Sequence, residues 1–166
     1  MILYLDASAL VKRYVNEAGS TEVNQIILRA QAVGTVAISQ AEVSAALSKA
    51  VRMKVLTKQD ALTSLQLFRN DWSDLARIQV TEEVVNKADA LAWTHNLRGY
   101  DAVHLAAALV WQKSLGLNVT LAAFDRQLWT SAKQAGLLTY PTDLTAMLAD
   151  WKRQTATNSL NSAKRK

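Results

Sequence analysis

The sequence predicts an α/β layered domain with a mainly parallel sheet flanked by helices. Short apolar runs rich in β-branched and aromatic residues alternate with longer segments of helical periodicity along the 166 residues. The runs carry no polar face, as strands covered on both sides do. Acids recur at one kind of place: Asp6, Glu42, Asp101 and Asp125 each stand where an apolar run ends or a helix begins. In open parallel sheets, ligands bind outside the carboxyl ends of the strands, so this placement is the first pointer to a site.

In chain order, Ile2 to Leu5 reads as a buried central strand that meets Asp6 at its end. Ala7 to Glu17 reads as a helix with Leu10, Val11, Tyr14 and Val15 on one side, stopped by Gly19. Ser20 or Thr21 caps a second helix to about Arg29. Val33 to Ile38 is a second strand. Ser39 begins the next helix, and Ser39 with Glu42 makes the Ser-x-x-Glu pattern of a capping box. Thr57 caps a helix to about Leu75, whose stripe of Leu62, Leu65, Phe68 and Trp72 suits the core or a subunit interface.

Ala76 to Val80 is a third strand, and Thr81 caps a helix with Glu82 and Glu83 in its first turn. In the stretch Leu97 to Leu109, Gly99 breaks one helical pattern and Asp101 opens the next, which runs to about Leu115. Its residues are small and apolar almost all round, so this helix is expected to be buried. Asn118 to Ala122 is a strand, followed by Phe124-Asp125 and a helix carrying Leu128, Trp129 and Ala132 to Gly136. Leu137 to Tyr140 is a last strand, Pro141 breaks it, and Thr142 to Trp151 forms a short helix. The organisation is one domain over residues 1–153 and a polar, basic segment over 154–166 expected to be a disordered tail.

Composition narrows the chemistry. Without cysteine, disulfides, thiolate catalysis and cysteine zinc sites are excluded. With two histidines, any metal is expected to be hard and oxygen-bound, Mg2+ or Mn2+. No run of about 18 apolar residues suggests a membrane span, and the acid at position 6 argues against a signal peptide. The expected compartment is the cytoplasm. The net charge of +5 fits an anionic partner, nucleic acid first, although Lys164, Arg165 and Lys166 supply three of the charges.

The acids have a chemistry of their own. Carboxylates brought together repel, and one raises another's pKa unless a cation joins them. A divalent ion relieves this, acidifies water and stabilises charge on a phosphoryl oxygen. Each acid also has a plain reading as a helix cap or first-turn charge, and the capping box alone accounts for Glu42. Ser8 reads either as a partner of bound water or as a first-turn hydrogen bond. Arg98 reads as a phosphate contact or a solvated helix end, and His104 as a packing or a supporting residue. Lys12, Arg13, Lys49 and Arg52 are candidates for a rim facing RNA.

The strand ending in Asp6 with Ser8 two residues on, the Ser39-x-x-Glu42 helix start, the block Arg98-Gly99-Tyr100-Asp101-Ala102-Val103-His104-Leu105-Ala106 and the Phe124-Asp125-x-x-Leu128 element resemble a PIN-domain nuclease. More closely, the chain resembles VapC-type toxins of bacterial toxin–antitoxin pairs, from about residue 1 to 140. The resemblance implies a three-layer PIN-like domain and an Mg2+- or Mn2+-dependent endoribonuclease hydrolysing RNA through metal-activated water. It implies Asp6, Glu42, Asp101 and Asp125 as catalytic, metal-binding acids, a cognate antitoxin and a homodimer. One departure stands out: similar proteins often carry Ser or Thr two residues before the last acid, where this chain has Ala123. The competing expectation is a non-catalytic nucleic-acid-binding or regulatory PIN-like domain. A receiver- or phosphatase-like domain using Asp6 as nucleophile is disfavoured because position 8 is Ser and not a second acid.

Overall fold

β1 (Ile2–Leu5) runs through the middle of a five-stranded sheet, and Leu3, Tyr4 and Leu5 are wholly buried. Each such side chain contributes roughly 1.5–3 kcal/mol by leaving water, so this strand anchors the domain. The computed structural model describes residues 1–163, with side chains through 153. The strand order is β3 (Ala76–Ile78), β2 (Ala32–Val36), β1, β4 (Val119–Ala122), β5 (Leu138–Tyr140), and every pairing is parallel.

Alternation along β1 divides the core. Tyr4 packs with α6 (Gly99–Leu115), α5 (Glu82–His95) and α7 (Arg126–Gln134) on one face. Leu3 and Leu5 pack with α1 (Ala7–Val11), α2 (Ser20–Leu28), α3 (Ser39–Arg52) and α4 (Lys58–Asp71) on the other. The fold is therefore the helix–sheet–helix sandwich expected. Leu105, Ala106, Ala107 and Ala108 are fully buried, which confirms α6 as an inner helix. Small residues allow such approach elsewhere too: a Cβ on Gly34 of β2 would lie 2.6 Å from the Trp111 ring of α6.

From β1 the chain builds outward to β2 and β3, then returns to lay β4 and β5 on the opposite side. The order reverses between β1 and β4, and a crevice opens at the carboxyl ends of such a pair. The Asp6 amide donates to the Ala122 carbonyl at 3.1 Å, closing the ladder at that point.

Several local expectations are corrected. The helix expected over residues 7–17 stops at Val11, and turns follow. Ser20 shapes those turns, its hydroxyl donating to the Val15 carbonyl at 2.6 Å and accepting from the Glu17 amide at 3.0 Å. Committed to that task, it does not cap α2. The N-cap is Gly19, with φ of +91°, and a Cβ there would strike Trp151 at 2.5 Å. The next expected cap also fails, because α3 starts behind Ile38 with no side-chain cap. Thr57 and Thr81 do cap their helices. α6 begins at Gly99, two residues earlier than expected, with Arg98 as N-cap. Of the α4 stripe, Phe68 is fully buried and Leu62 exposed. The last helix, α8, spans Leu144–Ala163 and so carries into the segment expected to be a tail, of which 164–166 lie outside the described residues.

Candidate active site

The four acids stand at the carboxyl end of the sheet, and two of them hold strand ends. Asp6 caps α1, its Oδ1 accepting the Ala9 amide at 2.7 Å. The Ser8 hydroxyl donates to the same carboxylate at 2.8 Å and accepts the Phe124 amide at 3.1 Å. One hydroxyl thus ties the end of β1 to the loop after β4, which makes the plain reading of Ser8 too narrow. Asp6 is only 4% exposed, and burial pushes its carboxyl up to about 6, against the opposing pull of His104, Ala9 and Ser8. Asp125 caps α7, its Oδ1 accepting the Gln127 and Leu128 amides at 2.9 and 3.0 Å. Ala123 is fully buried, and the hydroxyl contact of this loop comes from Ser8.

The other two acids have no such employment. The capping box of Ser39 and Glu42 does not form. Ile38 already has helical backbone angles, and buried Ser39 turns its hydroxyl to Thr35 at 2.6 Å, which in turn donates to the Leu5 carbonyl at 2.7 Å. Glu42 is released from the helix start, and its Oε2 lies 2.8 Å from His104 Nε2. Asp101 sits in the first turn of α6 and makes no hydrogen bond among the described residues. Burial raises its pKa, Asp125 raises it further, Arg98 and His104 pull it down, and Glu42 adds to the rise. Those influences place Asp101 among the other acids, facing Arg98.

Two adjoining hollows, of about 570 and 680 Å3, open over these residues and share Glu42, Arg98 and Tyr100. Asp101 lines one, and Ser8 and Asp125 line the other. Tyr100 stands 65% exposed between them. Among the expected basic rim, Lys49 lines the groove. Lys12 lines it too, but it is 8% exposed, with its ammonium bonded at 2.7 Å to both Glu17 and the Ala18 carbonyl and set against the Phe124 and Trp151 rings. Arg13 pairs with Asp71 at 3.0 Å in a separate hollow, and Arg52 bonds Ser48 on the outer side of α3. Arg13 and Arg52 thus line other hollows, and the Lys12 ammonium is already bonded within the chain.

His104 is buried and bridges Glu42 to the Tyr4 hydroxyl, 3.0 Å from Nδ1. Tyr4 escaped sequence reasoning, which saw only a core residue. The available signal was that a tyrosine in a strand buried on both faces must still satisfy its hydroxyl. Burial, and then the charges of Asp6 and Glu42, push that hydroxyl well above its ordinary range, against a smaller pull from the Val36 amide.

As a donor set, four carboxylates with no thiol and one nearby guanidinium fit a hard divalent cation in charge and in chemistry. Asp101, raised by Asp125 and Glu42, registers the repulsion that such an ion would remove. Among the described residues, no three Asp, Glu or His side chains are already drawn together around one point. The charges are assembled, and the coordination geometry is not preformed.

Residues 3–133 match the model of the PIN domain. The chain belongs to the PIN domain family. The protein called Ribonuclease VapC45 of Mycobacterium tuberculosis (strain CDC 1551 / Oshkosh) is 34% identical to this PIN domain over 143 residues, which span 86% of this chain and 97% of that protein. Among solved structures, VapBC2 from Rickettsia felis bound to a DNA fragment from its promoter shares the fold with a TM-score of 0.58 at 17% identity, covering 84% of this chain and 97% of the other. Mycobacterium tuberculosis VapC20, a sarcin–ricin-loop-cleaving toxin, aligns with a TM-score of 0.58 at 15% identity over 82% and 96%.

Proposed function

We propose that this PIN domain is a divalent-metal-dependent endoribonuclease and the toxin of a toxin–antitoxin pair. One observation carries the catalytic reading. Asp101 faces the groove without capping a helix or making a hydrogen bond among the described residues, and Glu42 faces it held by His104 alone, so neither acid is spent on its helix start. A module that only binds RNA gains nothing from acids that repel phosphate. The similarity to proteins named ribonucleases supports the substrate class, and the fold shared with VapBC2 supports a cognate antitoxin. The resemblance also supports a homodimer. Among the described residues no helix is long and apolar enough to cross a membrane, and cellular RNA in the cytoplasm is the proposed target.

In this reading Asp6, Glu42, Asp101 and Asp125 hold Mg2+ or Mn2+. The cation supplies Lewis acidity toward a phosphoryl oxygen and lowers the pKa of water. Arg98 and Lys49 at the rim hold the RNA phosphates without reading bases. Asp101 has both carboxylate oxygens outside any hydrogen bond among the described residues, which leaves an oxygen to accept the proton of the attacking water. The water oxygen bonds to phosphorus, the ribose oxygen leaves, and the transferred proton is returned to it. Asp6 and Asp125, held by backbone amides, fix the other wall.

The test is cleavage of a cellular RNA pool by purified protein with Mn2+ or Mg2+, with chelator, and with Asp101→Asn. Cleavage that requires both the ion and Asp101 is the expected result. Equal cleavage by the variant would expose a contaminant and remove the support. Metal-independent RNA binding without cleavage would favour the non-catalytic reading.

A further inference from the structure

We infer that Tyr4 and His104 form a buried positioning relay that aims the Glu42 carboxylate into the groove and sets its grip on a divalent cation; the second half of this rests on the metal-dependent reading above. The relay is continuous. The Tyr4 hydroxyl lies 3.0 Å from His104 Nδ1, and His104 Nε2 lies 2.8 Å from Glu42 Oε2. Tyr4 is 0% and His104 1% exposed, while the Glu42 side chain reaches 20% exposure. The chain of contacts thus leads from the sheet centre to the edge of the hollow.

Its direction follows from the inventory of donors. A carboxylate only accepts, so the hydrogen between His104 and Glu42 sits on Nε2. In the neutral imidazole Nδ1 is then the acceptor, and the Tyr4 hydroxyl is its donor. Tyr4 therefore selects the imidazole tautomer that can hold Glu42, the role an outer partner plays behind a ligating group. The base of the relay is rigid. The Tyr4 ring packs edge-on to His104 at 5.9 Å and against Trp111 at 6.4 Å, and the missing Cβ of Gly34 admits Trp111. No other hydrogen bond holds the Glu42 carboxylate among the described residues, since Ser39 is bonded elsewhere. A histidine serving packing alone needs any acceptor; this one takes the acid released from its cap.

Two measurements on the full chain test the relay. The first is imidazole 15N NMR of the wild type, which should show His104 as the Nε2–H tautomer; Tyr4→Phe, which keeps the ring, should release the second tautomer. The second is calorimetric titration with Mn2+ of wild type, Tyr4→Phe, Glu42→Gln and the double variant. Tyr4→Phe should weaken Mn2+ about tenfold, and adding it to Glu42→Gln should cost no more. An Nδ1–H tautomer in the wild type overturns the relay and needs no variant. Equal weakening by Tyr4→Phe in both backgrounds overturns it as well, because the effect would not pass through Glu42. If the wild type binds no Mn2+, the metal-dependent reading falls while the tautomer still decides the relay. If the tautomer and Mn2+ results hold without RNA cleavage, the ribonuclease reading falls and the relay stands.

Discussion

The two walls of the groove are made of the same side-chain chemistry and built on opposite terms. On the β1/β4 side, Asp125 in the wall and Asp6 buried just behind it are locked by backbone amides and double as helix caps. On the α3/α6 wall, Glu42 hangs from one histidine and Asp101 from nothing. A carboxylate that also folds the protein is ambiguous evidence for function, while one that does no folding work is informative. The contrast teaches where to mutate: Asp101 separates activity from stability, and the first wall entangles them.

The sharpest break in that contrast is Asp101→Asn. RNA cleavage should fall by at least about a hundredfold, the scale of losing a preorganised polar group in an active site. The melting temperature should stay level or rise slightly, since a repulsive charge beside Asp125 is removed. A large loss of stability with this variant would place Asp101 on the structural side of the comparison.

Next in size is the pH dependence carried by Asp6 in metal-free protein. Its folded pKa of about 6 lies above the unfolded value, so between about pH 4 and 6 the folded state holds the extra proton. Stability should therefore fall as pH rises through that interval, by roughly 3 kcal/mol in all. Asp6→Asn keeps a capping oxygen without the charge and should flatten the slope, as denaturant titrations at several pH values would reveal. A slope unchanged by the substitution would sink the assignment. Added Mn2+ should reverse the sign of the contrast, stabilising the wild type by about 2.7 kcal/mol at a hundredfold excess over its Kd. Thermal melts of Asp101→Asn should register less of that gain.

The smallest effect belongs to Asp125→Ala. Loss of the α7 cap should cost about 1 kcal/mol, lowering the melting temperature by a few degrees for a chain of this length. Activity should drop beyond what the folded fraction explains. A loss wholly accounted for by unfolding would make Asp125 a cap only.

The sheet was readable because buried parallel strands leave apolar, β-branched runs, and Ile2 to Leu5 is such a run. Asp6 and Asp125 were readable because a cap must follow a strand end. Glu42 was readable for the wrong reason: its capping box is local grammar, and a long-range bond from His104, 62 residues away, overrides it. Ser39 is drawn off by Thr35, a neighbour across a turn that no helix pattern weighs. Lys12 has the charge of an RNA contact, and only the folded chain reveals Glu17 and Phe124 closing over it. Tyr4 was hidden most thoroughly, because a strand pattern records that a ring is buried and is silent on its hydroxyl.

The Ser8 hydroxyl carries a consequence for how ligands are met. By bonding Asp6 and the Phe124 amide at once, it reinforces the ladder bond from the Asp6 amide to the Ala122 carbonyl and fixes the two neighbouring strand ends together. That side of the groove behaves as the fixed jaw of a vice. The other jaw is held more sparely, Glu42 by its one bond to His104 and Asp101 by no hydrogen bond among the described residues.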